Sequence, residues 1–127
     1  MSIESIRLVE SDKDVLVRLK RTTGIKNWNT LARWAFCLSL ADPSPTSVDP
    51  RGSFSGVEMT WKTFVGAHSD AYWAALIQRM ENDGLPNDPE TRERYFHRHL
   101  HRGIGLLANL SVKTSIRNML ELTITRR

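Results

Sequence analysis

The stretch Gly24–Ser44, GIKNWNTLARWAFCLSLADPS, constrains the fold more than any other part of the chain. Gly24 is a helix-ending residue and Asn27 a helix-starting one, so a helix is expected to begin near Trp28. Pro43, preceded by Asp42, stops it about four turns later. Side chains advance about 100° per residue around such a helix. Trp28, Leu31, Ala35 and Leu38 then form one face, Trp34 and Cys37 a second, and Phe36 and Leu40 a third. Only Asn29, Thr30 and Arg33 stand out as polar. A helix apolar on nearly all sides must be covered on nearly all sides. A chain of 127 residues builds one core of limited size. A second copy is therefore expected to complete the burial, with Trp28, Leu31, Trp34 and Leu38 at the contact.

The length fits one domain spanning residues 1–127. No apolar run approaches the roughly 18 residues of a membrane span. The N-terminus, MSIESIRLVESDKD, mixes charge with apolar residues and lacks the unbroken core of a secretory signal. A single cysteine, Cys37, excludes an internal disulfide and a cysteine metal cluster, and points to a reducing cytoplasm. Inside an apolar helix it reads as a small buried hydrophobe. The formal charge of +4 and isoelectric point near 9.6 lean toward polyanionic partners.

Along the chain, Ile6-Arg7-Leu8-Val9 is short and β-prone, an extended arm. Ser11 reads as a helix cap with Asp12 and Asp14 in the first turn, where the helix dipole favours negative charge. The first helix then runs to Thr23, turning Val15, Leu16, Leu19 and Thr23 inward. Its outer side carries Lys13, Arg18, Lys20 and Arg21, and Lys26 follows in the turn. Residues 42–56, rich in proline, glycine and serine, form an exposed loop. Residues 57–64 alternate as a short extended segment that would need a partner strand. Tyr72, Trp73, Leu76, Ile77 and Met80 recur at helical spacing. Asp88-Pro89-Glu90 is a strong helix start, followed by Phe96, Leu100, Ile104 and Leu107. Gly103 and Gly105 are odd there, and require either a closely packed neighbour or an early break. A last helix is expected from Ser115, using Ile116, Met119 and Leu120, before the basic Arg126-Arg127. The fold class is mainly α, a small domain of about five helices with an extended N-terminal arm.

Catalytic motifs are absent: no phosphate-binding glycine loop, no GxSxG, no HExxH and no paired cysteines. No cofactor is implied. His97 and His101 lie one helical turn apart with Glu93 on the same line, a spacing that suits a metal ion. Arg94, Arg98 and Arg102 flank that line and oppose a cation, which favours partly buried imidazoles on a helix surface over a metal site. The arginine stripe itself, with like charges four apart, reads as a structural or intersubunit feature ahead of an anion site. The four tryptophans, Trp28, Trp34, Trp61 and Trp73, sit in helical or alternating settings that favour packing over base stacking. For the basic side of the first helix, a solvated face and a DNA phosphate contact stand level.

The blocks RLKRTTGIKNWNTLARWAFCLSLADPS, VEMTWKTF and HLHRGIGLLA, in this order, resemble the DndE family of bacterial DNA sulfur-modification (phosphorothioation) proteins. The similarity runs from about Ile6 to Ala108 and is weakest in the last twenty residues. The resemblance implies a non-catalytic accessory subunit, a homo-oligomer with a tetramer as the expected form, and a start related to the ribbon-helix-helix topology. It implies binding of double-stranded DNA, with preference for nicks, alongside other sulfur-modification subunits. Carried over, DNA contact falls on Lys13, Arg18, Lys20, Arg21 and Lys26. Two alternatives remain at this point: a protein-interaction scaffold, and a metal-dependent nickase using Glu93, His97 and His101.

Overall fold

The N-terminal arm finds the partner that its short length demands. The computed structural model describes residues 2–125, with side chains through Leu110. Strand β1 (Ile6–Val9) pairs antiparallel with β2 (Phe54–Met59), setting Ile6 opposite Met59 and Arg7 opposite Glu58. The register slips between Arg7 and Val9. Ser55 holds the irregularity together: its hydroxyl donates to Leu8 O at 2.9 Å and accepts from Val57 N–H at 3.1 Å. Ile6, Leu8 and Val9 face the core, and Arg7 faces out.

Five helices complete the order: α1 (Glu10–Thr23), α2 (Trp28–Ala41), α3 (Trp61–Val65), α4 (Ser69–Asn82) and α5 (Pro89–Thr125). Helix α1 begins one residue before the expected Ser11 cap, where Glu10 N–H donates to Ser53 O. It closes at Gly24, whose φ of 75° belongs to the left-handed region that glycine enters without strain. Leu16 and Leu19 are buried as the spacing predicts, whereas Thr23 stays exposed. The extended segment expected over 57–64 lies at 54–59, and the chain turns helical at Trp61. Thr60 caps that turn, accepting from Thr63 N–H at 3.2 Å. Helical spacing carries Trp61 and Phe64 into the core together, where simple alternation would have put them on opposite sides.

Helix α5 starts as read, with Asp88 Oδ1 accepting from Thr91 N–H at 2.8 Å. It continues to Thr125 without the break expected before Ser115. The side chains expected for a last helix, Ile116, Met119 and Leu120, and the Arg126-Arg127 tail lie outside the described residues. The two glycines of α5 differ in role. A Cβ at Gly103 would sit 1.8 Å from Ala35 O, so here α2 and α5 touch backbone to backbone. Gly105 faces open space.

Around that contact Phe36, Phe64 and Phe96 pack in a cluster, with centroids 4.9 Å apart for Phe36–Phe96 and 5.2 Å for Phe64–Phe96. Trp61 closes it at 5.8 Å from Phe96. The edge-to-face pairs among these, Phe64–Phe96 and Trp61–Phe96, add about 0.5–1.5 kcal/mol each beyond area burial. Leu31, Ala32, Ala35, Leu100, Ile104 and Leu107 fill the α2–α5 seam.

Polar groups enter the core through two histidines. His99 is fully buried, its Nδ1 2.7 Å from Ser39 Oγ. Arg102 Nε donates to the same hydroxyl, so Ser39 O–H donates to His99 Nδ1, which fixes the tautomer. Nε2 then carries the proton and finds no hydrogen-bond partner among the described residues. Burial, with Arg102 and Arg79 nearby, pulls the His99 pKa from 6.5 down to about 4. His101 Nδ1 lies 2.8 Å from the carboxylate of Asp12. Asp12 lies in the first turn of α1 as expected, and its side chain is turned inward and buried. Its hydrogen bond raises the His101 pKa above 6.5, against a smaller opposing effect of burial.

Two outcomes follow from this packing. Gly103→Ala forces α2 and α5 apart and lowers stability by about 3 kcal/mol or more, while Gly105→Ala raises it by about 0.5–1 kcal/mol; urea titrations read both. The histidines set opposite pH slopes. The His101–Asp12 pair stabilises fully below pH 6.5 and its contribution disappears as pH rises through the raised folded value. The neutral His99 stabilises fully above pH 6.5 and its contribution disappears as pH falls toward about 4. Thermal melts across pH should therefore place maximum stability near pH 6.5, and Asp12→Asn should flatten only the alkaline side.

Candidate nucleic-acid interface

Cations in this chain divide into those held by the fold and those left to solvent. Most of the held ones lie on α4 and α5, while Arg33 of α2 donates to Phe64 O and Arg7 of β1 pairs with Glu58. Arg79, 8% exposed, donates to Leu40 O, Asp42 O and Ser44 O and pairs with Asp83 at 2.9 Å. Arg102 donates to Ser39 O, Asp42 O and Ser44 O. Both satisfy carbonyls at the C-terminal end of α2, where the helix leaves acceptors unpaired and its dipole favours positive charge. Arg98 pairs with Asp49 at 2.6 Å and ties down the 42–53 loop. Of the arginine stripe only Arg94 is fully exposed.

Most of the others lie on α1 and the turn after it. Arg18, Arg21 and Lys26 are exposed, and Lys13 and Lys20 half-buried. Among the described residues none of the five makes an ion pair. Lys20 Nζ sits 4.5 Å from the ring centroid of Trp28, a cation–π contact that joins α1 to the start of α2. Between Asp14 and Asp42 the sequence holds no acidic residue, yet it contains Arg18, Lys20, Arg21, Lys26 and Arg33. The face has no carboxylate in this span to neutralise it. Lys13 stands at the far end of α1 and is the most distant of the five from this cluster along the helix.

The fold orients α2 as well. Leu31, Ala32, Ala35, Phe36 and Ser39 are buried within the protomer. Leu31, expected at a subunit contact, is 0% exposed and already enclosed by its own chain. Trp28 is half-covered beneath Lys20. Trp34 is 49% exposed, and Cys37, expected to be buried, is exposed beside it. Cys37 falls outside the buried arc because the protomer covers α2 on the Leu31–Ala35–Phe36 side, against α5. Trp34, Cys37, Leu38, Ala41, Leu107 and Leu110 line an open apolar groove between α2 and α5.

The histidines do not converge on a metal site. His97 Nδ1 donates to Glu93 O and its Nε2 accepts from Arg7 N–H at 3.3 Å. His99 points into the core and His101 to Asp12. Among the described residues no three His, Cys, Asp or Glu side chains come together as cation ligands. The sequence spacing was correct, but each ring is engaged by a different element.

Among the described residues no helix is long and apolar enough to cross a membrane. No curated protein sequence matches the chain. The crystal structure of DndE from Escherichia coli B7A, involved in DNA phosphorothioation modification, matches with a TM-score of 0.66 at 23% identity. That match covers 84% of this chain and 98% of the other. A DndE G21/24K mutant structure, also described as involved in DNA phosphorothioation, gives 0.64 at 21% identity, covering 84% and 97%. These neighbours share the fold. The family model for DNA sulphur modification protein DndE matches residues 5–115, across both strands, α1 to α4 and most of α5, and the chain belongs to the DndE family.

Proposed function

We propose that this protein is a non-catalytic, cytoplasmic DNA-binding subunit of a phosphorothioation system. It acts as one domain, holding double-stranded DNA, with a preference for nicks, against a basic surface repeated in a homo-oligomer, with a tetramer the expected form. The observation that carries the reading is the unpaired cation cluster of Arg18, Lys20, Arg21 and Lys26 in a span without carboxylates. Cations that the fold does not hold are free to replace the counterions condensed on a phosphate backbone. Lys13 extends the same helix toward its start. Nothing on this surface presents a base-reading set of Asn, Gln and Arg, so recognition by shape and flexibility fits better than recognition by sequence.

The open groove beside Trp34 supports the oligomer. A helix with a half-exposed tryptophan next to Leu38 and Ala41 retains apolar area that a second copy would cover. Trp34 and Leu38 are then the anchors of that contact, with Trp28 at its margin. Several copies multiply the cations presented to one duplex and steepen the salt dependence. Other sulfur-modification subunits are partners of the same assembly.

Two measurements test this reading. Arg21→Glu combined with Lys26→Glu alters only exposed side chains, so melting temperature and oligomeric state should hold. Affinity for nicked duplex should fall at least about tenfold at 0.1 M salt, read by mobility shift. A wild-type protein whose retention of nicked duplex ignores salt would instead favour a protein-interaction scaffold. Trp34→Glu should shift the sedimenting species from oligomer to single chain; a wild type that already sediments as a single chain removes the oligomer.

A further inference from the structure

The geometry points to α3 as a further DNA-contacting element, with Lys62 continuing the cation track that begins on α1. This rests on the DNA-binding reading above and adds a residue to it. The ties run in sequence from one element to the next. Lys20 lies over Trp28, the first residue of α2. Asn29, the next residue, donates from Nδ2 to Thr63 O at 3.3 Å. Four residues on, Arg33 Nη1 donates to Phe64 O at 2.8 Å. Two α2 side chains thus take consecutive carbonyls of α3 and fix that short helix against the N-terminal half of α2.

So fixed, α3 buries Trp61, Phe64 and Val65 and turns Lys62 and Thr63 to solvent. Lys62 is therefore carried on an element tied to the first turns of α2, the helix that follows Lys26 in the chain. Among the described residues its side chain makes no ion pair or hydrogen bond. The local sequence repeats the pattern seen on α1: no acidic residue occurs between Glu58 and Asp70. An exposed lysine with no ion-pair partner among the described residues, on an element tied to the start of α2, suits a phosphate contact on the DNA backbone. Asn29 and Arg33 act as positioning residues, since their polar atoms are turned to α3.

The test is a salt titration of binding to a nicked duplex by the full chain, for wild type and Lys62→Ala, Lys62→Arg and Lys62→Glu. Removing one phosphate interaction lowers the slope of log affinity against log salt by roughly 0.9. Lys62→Ala should flatten that slope by about one phosphate per bound protomer and weaken binding roughly threefold to tenfold at 0.1 M salt. Lys62→Arg should restore the slope, and Lys62→Glu should weaken binding further. Unchanged melting temperatures would show that the fold is intact. A salt-dependent wild type with an unaltered slope in Lys62→Ala would overturn the role of α3 while leaving the α1 surface standing. A wild type without salt-dependent binding would overturn both. Failure of Lys62→Glu to capture other sulfur-modification subunits, with DNA binding intact, would assign the residue to a protein contact and overturn this inference.

Discussion

The backbone contact between Gly103 and Ala35 is the constraint on which the rest of the structure depends. A side chain at residue 103 would hold α2 and α5 apart, and dispersion attraction falls away within a fraction of an ångström. Because the helices touch, Phe36 and Phe96 reach each other across the seam, and Leu31, Leu100 and Ile104 need no filler. The same closeness brings His99 and Arg102 to Ser39, a serine in the middle of an otherwise apolar surface. The polar network and the aromatic cluster both follow from one missing methyl group.

Helix α2 is treated differently at its two ends. At the C-terminal end Arg79 and Arg102 satisfy the carbonyls that the helix leaves open and hold the loop through Ser44. Arginine suits this role because a planar fork of donors can serve several acceptors at once. At the N-terminal end no acidic residue lies in the first turn, and the nearby cations are turned outward. Positive charge at the first end is absorbed by the fold; at the second it remains available to a partner. The net charge of +4 is therefore less informative than its placement.

Much of this was legible in the sequence because local chemistry and tertiary packing agree. Gly24 ends α1, Asp88 caps α5, and the helical spacing of Phe96, Leu100, Ile104 and Leu107 marks a face that is indeed buried. Where the reading failed, a distant partner decided the outcome. Asp12 does stand in the first turn of α1, but its burial and its partner His101 could not be read from the local sequence. Trp61 to Phe64 alternated well enough for a strand, but Thr60 capped a helix and both aromatics turned into the core. The histidine run reads as partly buried imidazoles, as His97 and His101 are, but its spacing could not reveal that three neighbouring rings serve β1, the core and α1 separately. Lys62 has an acid-free run around it, and the role proposed for it rests on the hydrogen bonds from Asn29 and Arg33 to α3. Periodicity along α2 cannot tell a side that α5 covers, such as Leu31, from one left open, such as Trp34.

These same ties bear on the nick preference proposed above. Lys20 on Trp28, Asn29 on Thr63 and Arg33 on Phe64 join α1, α2 and α3 into one stiff end. A stiff cationic surface cannot follow a duplex, so the duplex must follow it. Smooth bending of an intact site costs on the order of 1–6 kcal/mol. A break in one strand relaxes that cost at the break, while the phosphates that the lysines and arginines would neutralise remain in place. On the DNA-binding reading, discrimination between nicked and intact duplex then arises from the rigidity of the protein and needs no residue that touches the nick itself.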